Sequence, residues 1–341
     1  MAHIPLYPVS VAPMMDYSDR HFRYFMRQMT KKALLYTEMI NTQAIIHGDR
    51  HKLLDFSPLE KPVALQLGGD NPQQLAESAK IGQDWGYDEI NLNVGCPSSR
   101  VQNGNFGACL MAQPDKVARC VETMTKAVDI PVTVKHRIGI DNQDSYESMA
   151  NFVKIVAEGG CQRFVVHARK AWLQGLSPKE NRHIPPLRYE DVYRLKQEFP
   201  HLIIEINGGI TTIEAIKTHL NYVDGVMIGR VACDNPYLLA TIDQQIYGDR
   251  TSVKTREEII LNFLPYVDQW CSQNVKLNTM MRHLLQIFAG QPGTKIWKRY
   301  LTQNGYNPDA DSKTVLKALE LKQDQAVKLE EIKNKHLSFK P

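Results

Sequence analysis

The first 230 residues show a repeating pattern in which short apolar segments alternate with stretches that have the spacing of amphipathic helices. The fourth segment, for example, alternates apolar and polar residues from Ile90 to Val94, as a strand does, and Gly95 and Pro97 then end it. Strands that alternate with helices are typical of βαβ units in a parallel sheet, and eight such units predict an α/β fold, a (β/α)8 TIM barrel. The eight apolar segments are residues 9–13, 34–39, 62–69, 87–95, 131–139, 163–169, 202–210 and 224–230.

A doubly wound sheet is the alternative arrangement of such units. That fold often carries a glycine-rich phosphate loop, but no G-x-G-x-x-G pattern follows the first strand here and no G-x-x-x-x-G-K-[ST] pattern occurs elsewhere. The barrel is therefore the favoured prediction.

The strand pattern stops after residue 250. Thr255 and Glu258 form a capping box in front of an apolar stripe that runs from Ile259 to Trp270 at helical spacing. Glycine and proline residues separate the helices that follow, which are predicted over residues 278–289, 294–303 and 312–335. The sequence thus predicts a barrel domain over residues 1–245 and a C-terminal all-helical domain over residues 250–335.

The composition is that of an ordinary globular protein, with 43% hydrophobic and 23% charged residues among 341. The N-terminus lacks the basic head and apolar core of a secretion signal, and no apolar run approaches the roughly 18 residues that span a bilayer. Six cysteines occur without a C-x-x-C pair or regular spacing, which disfavours a zinc site and a disulfide framework. We therefore expect a cytoplasmic protein with reduced thiols and no association with a membrane.

The net charge of +4 is distributed unevenly along the chain. Residues 1–249 contain 26 Lys and Arg against 28 Asp and Glu, whereas residues 250–341 contain 15 against 9, so a −2 body is followed by a +6 segment. A solvated helix surface and a polyanionic partner both explain such an excess, and the charge alone does not decide between them.

Chemistry in a TIM barrel lies at the C-terminal ends of the strands. The loops after the seventh and eighth strands of such barrels commonly bind a phosphate, because glycine lets backbone N–H groups come close to its oxygens; turns that bind nothing are the alternative. The residues at these two ends are Asn207, Gly208, Gly209, Gly229 and Arg230.

Lys135 and His167 are expected at the same end of the barrel, with Gln66 beside them. A buried lysine needs an anionic partner or a depressed pKa, and the charged edge of a reduced flavin would be such a partner; a Schiff-base lysine and a structural salt bridge are the alternatives. No carboxylate pair and no metal-ligand cluster stands at these ends. Together with a thiol, Cys96, which is otherwise a small buried side chain, these residues suit flavin mononucleotide (FMN).

One stretch resembles the signature of the tRNA-dihydrouridine synthase family. It is INLNVGCPSSRVQNGNFGA, residues 90–108, which matches that signature at every defined position. The resemblance extends over the whole barrel through APMMD (12–16), ALQLGG (64–69), VKHRIG (134–139), VVHAR (165–169), NGGI (207–210) and IGR (228–230). ENRHIPPLR (180–188) and IWKRYL (296–301) resemble the A-type subfamily, whose usual substrates are the uridines at positions 20 and 20a of the tRNA D loop.

The resemblance implies an enzyme that reduces these uridines to 5,6-dihydrouridine with FMN and NADPH. Hydride would pass from the flavin to C6 of uracil, and Cys96 would give the proton to C5 from the opposite face. The residues that would hold FMN are Pro13, Met14, Met15, Gln66, Lys135, His167, Asn207, Gly208, Gly209, Gly229 and Arg230. No metal and no obligatory protein partner are implied.

The target uridine has to leave its stack to enter the barrel, so the body of the tRNA is expected to lie on basic surface. Asn93 would contact the uracil edge or the ribose. The basic candidates are Lys179, Arg182, His183, Arg188, Lys295, Lys298 and Arg299, for each of which an ordinary surface charge is the alternative. Two other functions remain open: another flavin barrel acting on a small molecule, such as a dihydroorotate dehydrogenase or an ene-reductase, and a non-catalytic tRNA-binding protein.

Overall fold

Eight parallel strands form one closed barrel in the computed structural model, which describes residues 7–338, with side chains described as far as residue 331. Each strand pairs with the next one in the chain, and the last pairs with the first. The predicted (β/α)8 TIM barrel is confirmed: seven of the eight apolar segments contain a strand, and the segment 34–39 is extended to residue 41. The strands are β1 (Val9–Val11), β2 (Leu34–Asn41), β3 (Val63–Gly68), β4 (Glu89–Val94), β5 (Val132–Arg137), β6 (Arg163–His167), β7 (Ile203–Asn207) and β8 (Gly225–Ile228).

Helices connect the strands and continue after the last one. Those up to residue 245 are α1 (Arg20–Arg27), α2 (Thr42–His47), α3 (Arg50–Leu54), α4 (Pro72–Trp85), α5 (Ser99–Asn103), α6 (Pro114–Ala127), α7 (Tyr146–Glu158), α8 (Tyr189–Glu198), α9 (Ile213–Leu220), α10 (Val231–Asp234) and α11 (Ile242–Gln245). The tail consists of α12 (Arg256–Cys271), α13 (Leu277–Leu284), α14 (Thr294–Asn304) and α15 (Ser312–Ser338). Single 3₁₀ segments cover Pro58–Glu60, Gly107–Ala112, Glu180–Arg182 and Pro236–Thr241. Over residues 7–338, no helix combines the length and the apolar character needed to cross a membrane.

β3 shows how side-chain alternation builds the barrel. Val63, Leu65 and Leu67 are fully buried in the main core, which includes side chains of the surrounding helices. Ala64 belongs instead to a small apolar cluster with side chains from β2, β6 and β8 and with Ala12, which follows β1, and Gln66 is the next residue on that inner face. The outer face of each strand thus supplies the packing, while the inner face is free to carry polar groups.

The floor of the barrel is a buried ionic cluster near the N-terminal ends of the strands. The Arg163 guanidinium lies 3.3 Å from the carboxylate of Glu89 and 2.8 Å from that of Glu205. The hydroxyl of Tyr36 donates to Glu89 at 2.9 Å, and that of Ser10 donates to Glu205. Because three of these four contacts join strands that are not neighbours, they run through the barrel interior.

The tail begins as predicted and differs in one helix end. The Thr255 side chain accepts from the Glu258 N–H, and the Glu258 carboxylate accepts from the Thr255 N–H, so the capping box is confirmed. α13 ends at Leu284 rather than at residue 289, because the Leu284 carbonyl accepts from the Trp297 indole N–H at 3.2 Å and the chain then turns as far as Gly290. The division into two domains between residues 245 and 250 stays a prediction.

The tail is attached to the barrel at the start of α1. Asp19 caps that helix by accepting from the Phe22 N–H at 2.8 Å. Its carboxylate also pairs with Arg282 of α13 and with Nε2 of His283, which lies 3.1 Å away. We call Asp19, Arg282 and His283 the clasp.

Candidate active site

Five of the predicted site residues lie at one rim of the barrel, which we call the mouth. They are Gln66 in β3, Asn93 in β4, Lys135 in β5, His167 in β6 and Asn207 in β7. The ladder register places Asn93 beside Lys135 and His167 beside Asn207. Lys135 Nζ also lies 3.3 Å from Asn207 Oδ1, across the intervening strand β6, so both side chains turn into the barrel.

The backbone around Cys96 is held on both sides. Asn93 Oδ1 accepts from the N–H groups of Gly95 and Cys96 at 3.1 and 3.0 Å. The Cys96 carbonyl in turn accepts from the Ala108 N–H at 2.9 Å, an approach that depends on Gly107, since a Cβ there would lie 2.6 Å from this carbonyl oxygen. The thiol is therefore partly exposed at the mouth on a rigid turn.

Arg137 is a site residue that the sequence analysis missed. It is 4% exposed, and its guanidinium donates to the carbonyls of Gly95 at 2.9 Å, Lys170 at 2.9 Å and Asn181 at 3.1 Å. It thereby ties the Cys96 turn to the loop between β6 and α8. Its position two residues after Lys135, hence on the same face of β5, was a signal that could have identified it.

The loop between β6 and α8 is ordered from inside by Asn181, which is fully buried. Its side chain accepts from the Trp172 N–H at 2.8 Å and donates to the Trp172 carbonyl at 2.9 Å. Gln102 donates to the carbonyls of Pro97 and Leu173, each at 2.8 Å, and so joins this loop to the Cys96 turn a second time.

Lys135 is a cation without a carboxylate in contact, among the residues that the structure describes. Burial lowers its pKa to about 8, and the positive charge of Arg137 acts in the same direction. The Asn207 side chain that meets its ammonium also donates to the Met227 carbonyl at 2.7 Å, which fixes the amide oxygen toward the lysine. The positive charge of Lys135 is therefore available to pair with an anionic ligand.

His167 lies in the same positive field. Burial and the charges of Arg137, Lys135, Arg169 and Arg230 hold its pKa well below the usual range, so the imidazole is neutral. Gly208 follows β7 with a φ of 123°, and a Cβ on it would lie 2.9 Å from the imidazole Cδ2. This glycine thus allows the β7 turn to pack against the histidine.

The two glycine turns predicted to bind phosphate lie side by side, since they follow the neighbouring strands β7 and β8. Among residues 7–338, the N–H groups of Gly209 and Gly229 donate to no protein acceptor, so both are free to meet a ligand oxygen. Arg230 is exposed beside them, with Nη1 2.5 Å from Nε2 of His183.

The turn after β1 adds the last predicted flavin residues, Pro13, Met14 and Met15. It adjoins β8 and is closed by Ser18, whose hydroxyl accepts from the Met14 N–H at 2.8 Å and donates to the Met14 carbonyl at 3.1 Å. Met15 is 51% exposed at this rim. All the residues predicted to hold the cofactor are therefore brought to one end of the barrel.

Comparison with known sequences identifies the family. The model of the family described as Dihydrouridine synthase (Dus) matches residues 10–324. The chain belongs to the dihydrouridine synthase family. A Synechocystis member named tRNA-dihydrouridine(20/20a) synthase is 69% identical over 297 residues, which cover 87% of this chain and 89% of that protein. Members with the same name from Vibrio cholerae and Escherichia coli are 57% and 52% identical, over 91% and 94% of this chain and 95% and 97% of their own. The resemblance noted in the sequence is confirmed.

In this dihydrouridine synthase, most of the basic residues predicted to meet RNA form two groups. Lys179, Arg182 and His183 are exposed in the loop between β6 and α8, at the mouth. The second group is on α14 of the tail and consists of Lys295, Lys298 and Arg299, of which Lys298 is half-buried with its ammonium 2.6 Å from Gln286 Oε1. These assignments stay predictions.

Arg188 differs from the other basic candidates. Its guanidinium lies 3.2 Å from the Asp144 carboxylate, contacts Asp191 and donates to the Asp144 carbonyl at 2.8 Å. These contacts neutralise it within the folded chain, so its place in the structure is explained without RNA. Asn93 likewise uses both ends of its amide inside the protein, on Gln66 and on the Cys96 turn.

Metal ligands are not gathered anywhere in the part of the chain that the structure describes, where no group of three or more His, Cys, Asp and Glu side chains is placed to hold an ion. All six cysteines are free thiols.

Proposed function

We propose that this dihydrouridine synthase reduces uridines of tRNA to 5,6-dihydrouridine, at positions 20 and 20a, with FMN as bound cofactor and NADPH as reductant. The observation that carries the proposal is Cys96, whose backbone is held at the mouth by Asn93 and by the Ala108 N–H, in a site whose half-buried lysine has no carboxylate partner among the described residues. Relatives named for this reaction on tRNA are 52–69% identical to the chain, which supports the choice of substrate.

The residues present fit FMN. The Lys135 ammonium lacks an anionic partner within the described part of the chain, and the turns at Gly209 and Gly229, with Arg230 beside them, offer free N–H groups and a positive charge to a phosphate. The neutral imidazole of His167 supplies a hydrogen bond without further charge. When bound, the reduced cofactor supplies the hydride that is added to C6 of uracil.

The protein itself supplies the proton. Cys96 gives the proton of its thiol to C5, so that one hydride and one proton complete the former double bond, and solvent returns a proton to the sulfur. Asn93, Gly107 and Arg137 hold the turn that carries the thiol and so fix its approach to the ring. NADPH would be the reductant that supplies this hydride for each cycle and would leave as NADP⁺.

The tRNA lies across the mouth and the tail in this proposal. The exposed Lys179 and Arg182 flank the mouth, and Lys295 and Arg299 extend the positive surface along α14. Phosphate contacts of this kind position the RNA, while extrusion of the target base into the barrel brings it to the thiol.

Dihydrouridine mapped in tRNA from a strain without this protein tests the proposal. We expect the modification to be absent at positions 20 and 20a, restored by the wild-type gene, and not restored by Cys96→Ala. Cys271→Ala is the matched control, because this half-buried thiol belongs to α12 of the tail, and it should restore modification fully. Unchanged modification in the deletion strain would refute the proposed substrate.

The colour of the purified protein separates the two other functions. A yellow protein that binds tRNA but turns over only a small unsaturated molecule would be a small-molecule flavin reductase. A colourless protein that takes up no FMN and still binds tRNA would be a non-catalytic binding protein.

A further inference from the structure

A continuous line of side-chain hydrogen bonds rises through the barrel from the floor. The Thr133 hydroxyl donates to Glu89 Oε1 at 2.7 Å, and Asn91 Nδ2 donates to Thr133 Oγ1 at 2.8 Å. Gln66 Nε2 then donates to Asn91 Oδ1 at 2.8 Å, and Asn93 Nδ2 donates to Gln66 Oε1 at 2.9 Å. None of these residues is more than 9% exposed. We call the five of them the polar column.

Both ends of the polar column fix its direction. At the top, the N–H groups of Gly95 and Cys96 can only donate, so Asn93 has to present its oxygen to them. At the bottom, the carboxylate of Glu89, which pairs with Arg163, has acceptor oxygens only, so Thr133 has to donate to it. Every amide in between therefore points its N–H toward the floor.

If any one amide were rotated by 180°, its NH₂ group would face another donor and its oxygen would face another acceptor, in a part of the barrel that water does not reach. A buried polar group that loses its partner is destabilising, and hydrogen bonds in such a chain strengthen one another. The orientation of Asn93 at the mouth thus depends on groups several residues deeper in the barrel, which contact neither the thiol nor the rim.

We propose that Thr133 and Asn91 are positioning residues, which act through Gln66 and Asn93 to hold the Cys96 turn in its reactive orientation. The catalytic part of this inference rests on the proposed function, whereas the hydrogen-bond chain belongs to the free protein. Thr133 is the decisive link, because its single hydroxyl both accepts from Asn91 and donates to Glu89.

Thr133→Val tests the link, since it keeps the shape of the side chain and removes the hydroxyl. In the protein without tRNA, we expect hydrogen exchange at the Gly95 and Cys96 amides, followed by NMR, to become about tenfold faster. With tRNA, kcat should fall by about tenfold while KM is unchanged, because the change affects the reacting group and not the bound RNA. Thr133→Ser, which restores the hydroxyl, should restore both quantities.

Tyr36→Phe is the matched control. It removes a donor from the same oxygen of Glu89 but lies outside the polar column, so it should lower stability without changing exchange at Gly95 and Cys96. If hydrogen exchange at Gly95 and Cys96 became equally fast in Tyr36→Phe and Thr133→Val, the cause would be a general loss of stability, and the inference would be overturned.

The outcomes also separate this inference from the proposed function. Unchanged exchange in Thr133→Val overturns the inference whatever the activity. Faster exchange in a protein whose wild type modifies no tRNA leaves the positioning intact and refutes the function. If Thr133→Val does not fold, the side-chain NH₂ protons of Gln66, Asn91 and Asn93 are measured in the wild type, where they should be protected; exchange as fast as in a free amide would overturn the inference.

Discussion

Lys135 keeps a positive charge in a place where burial opposes it. The charge has an amide oxygen as its protein partner and Arg137 nearby, so protonated Lys135 lowers the free energy of unfolding of the chain without ligand. A site of this kind gains stability when an anion arrives, which is the physical link between the electrostatics of the mouth and the proposed cofactor.

We predict that, without ligand, wild-type protein gains stability relative to Lys135→Met as the pH rises from 8 to 10.5. The folded pKa is about 8 against the usual 10.5, so in this range the unfolded lysine binds the proton that the folded one has released, and the free energy of unfolding rises with pH. The gain is about 3 kcal/mol at most. Denaturant unfolding of both proteins at each pH measures it, and the difference cancels the cysteines, which titrate in the same range. A flat difference curve would contradict a buried charge at this position.

Gly208→Ala should lower the free energy of unfolding and impair FMN retention. Alanine at a φ of 123° costs about 1–3 kcal/mol, and its Cβ would also meet His167 and Leu187, each at 2.9 Å. Gly175→Ala is the control, because its φ of 82° is also positive but a Cβ there meets no atom within 4 Å. Chemical unfolding and cofactor titration should show the larger effect in Gly208→Ala; equal effects would mean that backbone conformation alone matters.

Residues that end a strand could be predicted from sequence, and residues that work through distant partners could not. Lys135, His167 and Asn207 are recognisable because each is a polar residue at or after the middle of an apolar segment. The position of Arg137 two residues after Lys135 indicated its face of β5, but the carbonyls that it contacts lie up to 44 positions away, and the polar column joins side chains of β3, β4 and β5, so these contacts leave no local pattern. Their partners become visible only when the barrel closes.

At the scale of elements, periodicity predicted all eight strands, and capping chemistry predicted the start of α12. The predicted end of α13 at residue 289 was wrong, because the contact that ends the helix at Leu284 is made by Trp297, a residue of another helix. Likewise, the two roles of Asp19, as cap of α1 and as partner of α13, could not both be read from its neighbours in the sequence.

The contribution of the clasp to the free energy of unfolding should depend on pH. Asp19→Asn keeps the cap of α1 but removes the charge that pairs with Arg282 and His283, which should cost about 2 kcal/mol at pH 7. The hydrogen bond and charge of His283 hold the pKa of Asp19 below its usual range despite burial, so the contribution is fully present at neutral pH and decreases progressively as the pH falls below about 4.

Urea unfolding of the Asp19→Asn protein between pH 7 and pH 3 measures this contribution. Asp49→Asn is the control, because Asp49 caps α3 through the Lys52 N–H and is in no ion pair among the described residues. A pH-independent difference for Asp19→Asn would show that the clasp is not ionic.

At the scale of the molecule, the positive charge that the sequence concentrates after residue 250 is carried by the tail, while the mouth adds basic residues of its own. Neutralising Lys179, Arg182, Lys295 and Arg299 to Gln should weaken tRNA binding and reduce the slope of log K against log salt by about one for each phosphate that the protein no longer neutralises. Lys80→Gln with Lys154→Gln is the control, since both lysines are exposed on outer helices α4 and α7. An unaltered slope in the fourfold variant would indicate that the RNA binds to another surface of the protein.

The clasp lies four positions along the chain from Met15, which stands at the rim of the barrel opening. Four residues of fully extended backbone reach about 14 Å, so an intact clasp sets an upper limit on how far α13 can drift from that rim. A nucleic acid that touches both the rim and α13 would therefore meet two points of attachment whose separation is limited by these four residues.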